Sequence, residues 1–173
     1  MTDRESYSDE EWATILAAPV AVIAAVIGIS PGGPMAIMQE VGAAVKSFER
    51  AAEERRDNPL IVAMLVSLKG RFDAFHGGQG DPANEQVQIM DLGRDPAVAV
   101  AACRAARDLL EQKAPGPEGL ELRTWLIDLA SDVAHAAKEG GFLGMGGELV
   151  NAKERAMLHD LADALGVTAP DLP

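Results

Sequence analysis

Three observations predict an all-α protein, a compact bundle of about seven helices. No stretch alternates apolar with polar residues for long enough to build a half-buried strand. Three times an Asn or Asp stands before a Pro, at Asn58-Pro59, Asp81-Pro82 and Asp95-Pro96. That pairing sets a side-chain acceptor at the N-cap and a proline ring where the first helical N–H would have no partner anyway. Finally, 30 of the 173 residues are Ala, the strongest helix former. With 48% hydrophobic and 24% charged residues, the composition is that of a globular chain that needs no disulfide staple. We expect a single domain over residues 1–173, with 1–8 and 167–173 as frayed tails.

The first helix should start at Asp9, because Ser8 and Glu11 have the spacing of a capping box. Residues 13–38 carry no charge. A membrane span or signal segment must therefore be weighed. The apolar part, 13–29, would reach roughly 26 Å as a helix against a hydrocarbon core of ~30 Å. Six of those residues are Ala, and Asp3, Glu5, Asp9, Glu10 and Glu11 precede them with only Arg4 as counterweight. A basic leader is the opposite pattern. The stretch reads as a central helix buried on all sides, with Pro19 bending it.

After the turn at 30–34 comes a second helix, in which Ile37, Val41, Val45, Phe48 and Ala52 make one apolar stripe. Glu40, Lys46, Glu49, Arg50, Glu53 and Glu54 would occupy its solvated faces. A third, mostly buried helix spans 60–75, glycines at 77–80 break it, and a short helix follows to about 92. The fifth runs from 95 to 113 with Val98, Ala102, Ala105 and Leu109 inward and Arg104–Asp108 and Arg107–Glu111 as exposed i,i+4 pairs. Residues 114–119 look like a flexible linker. A sixth helix at 120–139, a glycine-rich loop, and a seventh at 152–165 closed by Gly166 complete the chain.

Fifteen basic residues against 27 acidic ones give a net charge of −12. Phosphate backbones and anionic membranes would be repelled, so nucleic acid and membrane insertion are excluded as expectations, and basic proteins or cations are favoured. Cys103 is the only cysteine, which fits a reducing cytoplasm.

Shifted by 113 positions, the sequence lays Trp12, Leu16, Ala17, Val20, Ala21, Ala24, Gly28 and Gly33 over Trp125, Leu129, Ala130, Val133, Ala134, Ala137, Gly141 and Gly146. The spacing traces one helical face ending in a glycine loop, as two pseudo-symmetric helix-loop-helix units would. In the second copy, Gly147, Glu148, Leu149, Glu154, Leu158, Leu161, Leu165 and Gly166 stand where a known pattern has them. That pattern is an Asp-Gly, a short extended piece, a capped acidic residue and a leucine-rich helix ending near Leu-Gly. Over about 45 residues the chain resembles the tellurite-resistance TerB-like family. Gly146 replaces the family's aspartate, and the first loop, 28–34, has no carboxylate. The resemblance implies a compact helical domain made of two units, a role in stress response and protein assembly, and divalent cations at acidic loops.

Candidate chemistry is sparse. Asp128, Asp132, His135 and Glu139 share one stripe of the sixth helix, but at about 100° per residue it lies opposite Leu126, Leu129, Val133 and Ala137 and should face water. A di-metal bundle would need inward ligands from several helices. Asn151 and Glu154 have capping-box spacing. His76 and His159 are isolated, and no nucleophile with a base and an orienting group can be assembled. The glycine loop carries Phe142 and Met145, which could tuck into the core or be exposed as a protein-binding site.

The reading is a non-enzymatic, cytoplasmic, acidic interaction module, associated with stress response, binding an unknown protein partner through Phe142 and Met145 without a cofactor. Self-association stays open. The alternative is a calcium or magnesium sensor using Glu139, Glu148 and Glu154, and a second alternative is an unrecognised enzyme.

Overall fold

Helices account for nearly all of residues 2–29, 34–76, 95–139 and 151–169, the parts of the chain that the computed structural model describes, with side chains at 34, 72–76 and 137–139 excepted. They are α1 (Asp9–Ile29), α2 (Pro34–Glu54), α3 (Pro59–His76), α4 (Pro96–Lys113), α5 (Pro117–Glu139) and α6 (Ala152–Leu165), preceded by a single 3₁₀ turn at Arg4–Ser6. Among the described residues there is no strand. The protein is an all-α bundle. The short helix expected at 81–92 and both glycine loops lie outside the described residues.

The capping residues stand where the sequence places them. Ser8 Oγ accepts from the Glu11 amide at 3.2 Å while Glu11 Oε2 accepts from the Ser8 amide at 2.7 Å. Asn58 Oδ1 accepts from the Leu60 and Ile61 amides, and Asp95 Oδ1 from the Ala97 amide. Asn151 and Glu154 form the reciprocal box at the start of α6, and Gly166, at φ 65°, closes that helix in the left-handed conformation. Asn58 also donates to the Glu118 carbonyl at 3.0 Å and to Glu121 at 2.8 Å, so the start of α3 is bound to the first turns of α5.

Two helices hold the bundle together, because α1 and α5 each pack against all the others. They are also the two helices of the internal echo. Trp12, Leu16 and Ala21 are buried, and so are their counterparts Trp125, Leu129 and Ala134. Ala17, by contrast, is exposed while Ala130 is buried, so equivalent positions do not share every environment. By length and composition α1 could cross a membrane, yet most of its apolar surface is covered by other helices. Ala13, Ala17 and Gly28 are exposed, so burial is not complete on all sides. Ile15, Leu126, Leu129, Leu158, Leu161 and Leu165 are fully buried, each contributing roughly 1.5 to 3 kcal/mol of transfer free energy.

In two helices the buried face is rotated from the expected one. On α2 the inward residues are Glu40, Ala44, Ser47 and Ala51, each one position before the expected Val41, Val45, Phe48 and Ala52. On α4 they are Ala99, Cys103, Ala106 and Leu110, each one position after Val98, Ala102, Ala105 and Leu109. In both, small residues face the central pair, where they let helix axes approach closely. Val41 and Val45 are left exposed. On α3, Leu60, Ile61 and Met64 are buried but Val62 and Val66 are exposed, so it is less buried than expected. Asp108 pairs with its neighbour Arg107, whose contact with Glu111 is a long 3.9 Å.

Connections and tails also differ from expectation. Because α5 starts at Pro117, the supposed linker shrinks to 114–116. Gly119 cannot be replaced there without displacement, since a Cβ on it would lie 2.1 Å from the Ala114 carbonyl oxygen. Residues 2–8 are tied down rather than frayed. Tyr7 is buried with its ring 5.7 Å from that of Trp12, and Arg4 sits over the other ring at 5.4 Å. Lys113, from the end of α4, donates to the Ser6 carbonyl and to Glu11, and its ammonium lies 5.6 Å from the Tyr7 ring centroid. At the other end, Val167 donates to the Ala162 carbonyl and packs on the core.

Two stability predictions follow from these contacts. Burial, aided by the nearby Glu11 charge, pushes the Tyr7 phenol up to about 12. An acid whose folded pKa is raised stabilises the fold below its unfolded value, near 10, and loses that contribution as pH rises through 12. Tyr7 is the only tyrosine, so absorbance at the tyrosinate band should show ionisation near pH 12 in the native chain and near pH 10 in denaturant. For the α6 cap, Glu154→Ala should lower stability by roughly 1 to 2 kcal/mol in denaturant melts and Glu154→Gln by less, since the amide can still reach Asn151.

Candidate functional site

The polar stripe of α5 is only partly open to water. Because α5 is covered on nearly every side, the surface opposite its leucines meets α2, and the charges expected on a solvated face of α2 meet it there. Arg55 Nη2 lies 2.7 Å from Asp128 Oδ2, with Glu121 at 3.6 Å from Nη1, and Arg50 pairs with Asp132. The side chains of Asp128 and Asp132 are only 39% and 29% exposed. His135 takes no part, because its Nδ1 lies 2.7 Å from the Ser131 carbonyl of its own helix.

Beside the two helices lies a cleft of about 270 Å³ lined by Ser47, Arg50, Ala51 and Glu54 of α2, by Arg55 in the turn after it, and by Trp125, Asp128, Ser131 and Asp132 of α5. Its origin is the small-residue face of α2. Ala51 and Ser47 are small and buried beside Trp125, itself buried with its ring 5.9 Å from that of Phe48. Burial of Asp128 favours its neutral form, and the negative charge of Asp132 adds to this, while Arg55 and Arg50 oppose it; the net direction is upward.

Two polar atoms of residues lining the cleft are buried without a hydrogen-bond partner, Ser47 Oγ and Trp125 Nε1. An unmet buried donor or acceptor costs roughly 1 to 3 kcal/mol. The echo position shows how the chain avoids that cost elsewhere, since Trp12 Nε1 donates to Ser67 Oγ at 3.1 Å. A wider depression of about 570 Å³ beside Leu120, Thr124 and Val167 has Asp163 as the one charged residue of its lining and neither of the unmet atoms.

Of the residues singled out in the sequence, Phe142, Met145 and Glu148 lie outside the described residues, and so does the side chain of Glu139. Glu154 is buried in the α6 cap, where Oε2 accepts from the Asn151 amide at 2.8 Å. His159 is exposed. Among the described residues no three metal-ligating side chains converge. Cys103 is buried, which pushes its thiol up to about 12 and leaves it no thiolate for chemistry near neutral pH. The cleft itself went unrecognised in the sequence. Its signal was two arginines, Arg50 near the end of α2 and Arg55 just after it, against Asp128 and Asp132 one turn apart on α5.

A carboxylate whose folded pKa is raised weakens the fold when ionised, so stability falls as pH rises from the ordinary Asp range. Asp128→Asn should therefore be at least as stable as the native chain at pH 7, with the difference shrinking towards pH 4 in paired urea melts. A clear loss of stability at pH 7 would mean that the Arg55 pair outweighs desolvation. Comparison with protein-family models, with curated proteins and with solved structures returns no match for this chain.

Proposed function

We propose that the chain is a non-enzymatic, cytoplasmic interaction module of the TerB-like type, and that it docks a protein partner through α2. The observation that carries this reading is the outer face of that helix. Met35 and Met38 are 69% and 72% exposed, and Val41 and Val45 are exposed with them, at spacings of three, three and four that put all four on one side. Methionines on a helix face suit a binding surface because their unbranched, polarizable side chains adapt to a partner's shape. A run of large apolar residues facing water is the kind of patch that marks a contact surface. The net charge of −12 favours a partner whose rim is basic. A calcium or magnesium sensor gains nothing from Glu154, whose carboxylate is engaged in the cap.

The test is site-specific cross-linking in the native host. A photoactivatable residue at position 38 should capture a defined protein partner, one at the exposed position 108 of α4 should not, and Val41→Asp should abolish the capture. Since Val41 is exposed, that substitution should leave stability within about 0.5 kcal/mol. Equal capture from both positions, or capture that survives Val41→Asp, would remove α2 from the interface.

A further inference from the structure

We propose that Met35 and Met38 form a redox-sensitive modification site, at which a peroxide-class oxidant converts the two thioethers to sulfoxides and switches off docking through α2. The switch rests on the docking role proposed above for that helix, whereas the selectivity of the oxidation does not.

The described sulfur atoms differ sharply in access. Met35 and Met38 are 69% and 72% exposed, one turn apart on one side of α2. Cys103 and Met64 are fully buried, and Met157 is only 5% exposed. Among the described sulfurs, an oxidant in solution therefore reaches these two thioethers first. The thioether sulfur attacks the peroxide, the O–O bond breaks, one oxygen stays on sulfur and the other leaves in water. Sulfur gives up two electrons and the peroxide takes them. A thiol-dependent reductase reverses the step, two thiols becoming a disulfide as the oxygen departs in water.

A sulfoxide is polar and accepts hydrogen bonds. On an exposed helix face it stays hydrated, so the fold loses little. Beneath a partner it would be stripped of that water, and burying a polar group without a hydrogen bond opposes association. Met35 and Met38 supply half of the apolar stripe that Val41 and Val45 complete, so oxidation makes half of it polar. No buried residue has to move.

The experiment uses the full chain, treated with hydrogen peroxide and followed by peptide mass mapping. Residues 35 and 38 should each gain one oxygen about tenfold faster than residues 64 and 157. The melting temperature should stay within about 2 °C, as for other changes at exposed positions. For docking, purified chain with a photoactivatable residue at position 45 is added to host extract before oxidation, or after oxidation and removal of peroxide. Capture should fall about tenfold on oxidation. It should return after treatment with methionine sulfoxide reductase and resist peroxide in the double variant Met35→Leu, Met38→Leu. The proposal is overturned if the two residues oxidise no faster than the buried methionines, if capture survives oxidation, or if the double variant is equally sensitive to peroxide. Absence of capture by the untreated chain is a separate failure, which removes α2 as the docking helix and the switch with it.

Discussion

Residues 13–29 have no charged side chain, and this one constraint organises the molecule. A helix that apolar needs cover around most of its circumference, at a transfer free energy of roughly 25 cal/mol for each Å² left wet. The cover comes from five other helices, with α5 lying alongside as a second centre that is itself almost fully enclosed. Once two helices of a bundle are both central, the flanking ones must come close to them. The chain allows this with Ala44, Ser47 and Ala51 on α2 and Ala99, Cys103 and Ala106 on α4. Close approach then decides which larger side chains are pushed outward.

That consequence explains what could and could not be read from the sequence. Helix starts were legible because a cap is local chemistry: Ser8 with Glu11, Asn58, Asp95 and Asn151 with Glu154 all act within three residues of themselves. The buried faces of α1, α5 and α6 were legible as well, since their large apolar residues have nowhere else to go. On α2 and α4 the same rule misled by one position in opposite directions. On α2 two adjacent stripes compete, and ranking by hydrophobicity picks the one with Val41, Val45 and Phe48; on α4 the two stripes are nearly equal in apolar content, so hydrophobicity does not choose between them. The choice is made by how closely the helices pack, and a single sequence does not state packing distance.

The candidate site escaped notice for the same reason. With α2 rotated, Arg50, expected on a solvated face, reaches Asp132 while staying half exposed, and Arg55 pairs with Asp128, so the α5 stripe finds countercharges as well as water. Pairs this exposed contribute little to stability, about 0 to 1 kcal/mol each. They line a polar cleft between two helices beside the buried Trp125. Phe142 and Met145 were suggested as apolar residues of a glycine loop with too few carboxylates for a cation, and they lie outside the described residues.

The termini show how a polar contact can bear on the same core. Lys113 ends α4 and reaches the start of α1 through Glu11 and the Ser6 carbonyl, while Thr2 donates back to the Lys113 carbonyl at 3.3 Å. On the opposite side, Arg123 of α5 donates to the Leu165 carbonyl at 2.9 Å and to Glu111 of α4 at the same distance, so one guanidinium joins three helices at the end of α6. Gly166 suits that junction because its φ of 65° favours glycine, and a Cβ there would come within 3.1 Å of Arg123 Nη1 and of Arg107 Cδ, so both side chains would have to shift slightly. Each cation takes up helix C-terminal carbonyls or chain-end carbonyls that the apolar core cannot satisfy. In a chain with 15 basic residues against 27 acidic ones, Arg50, Arg55, Lys113 and Arg123 all stand at helix junctions. These four cations thus tie neighbouring elements together through contacts that the apolar core cannot make.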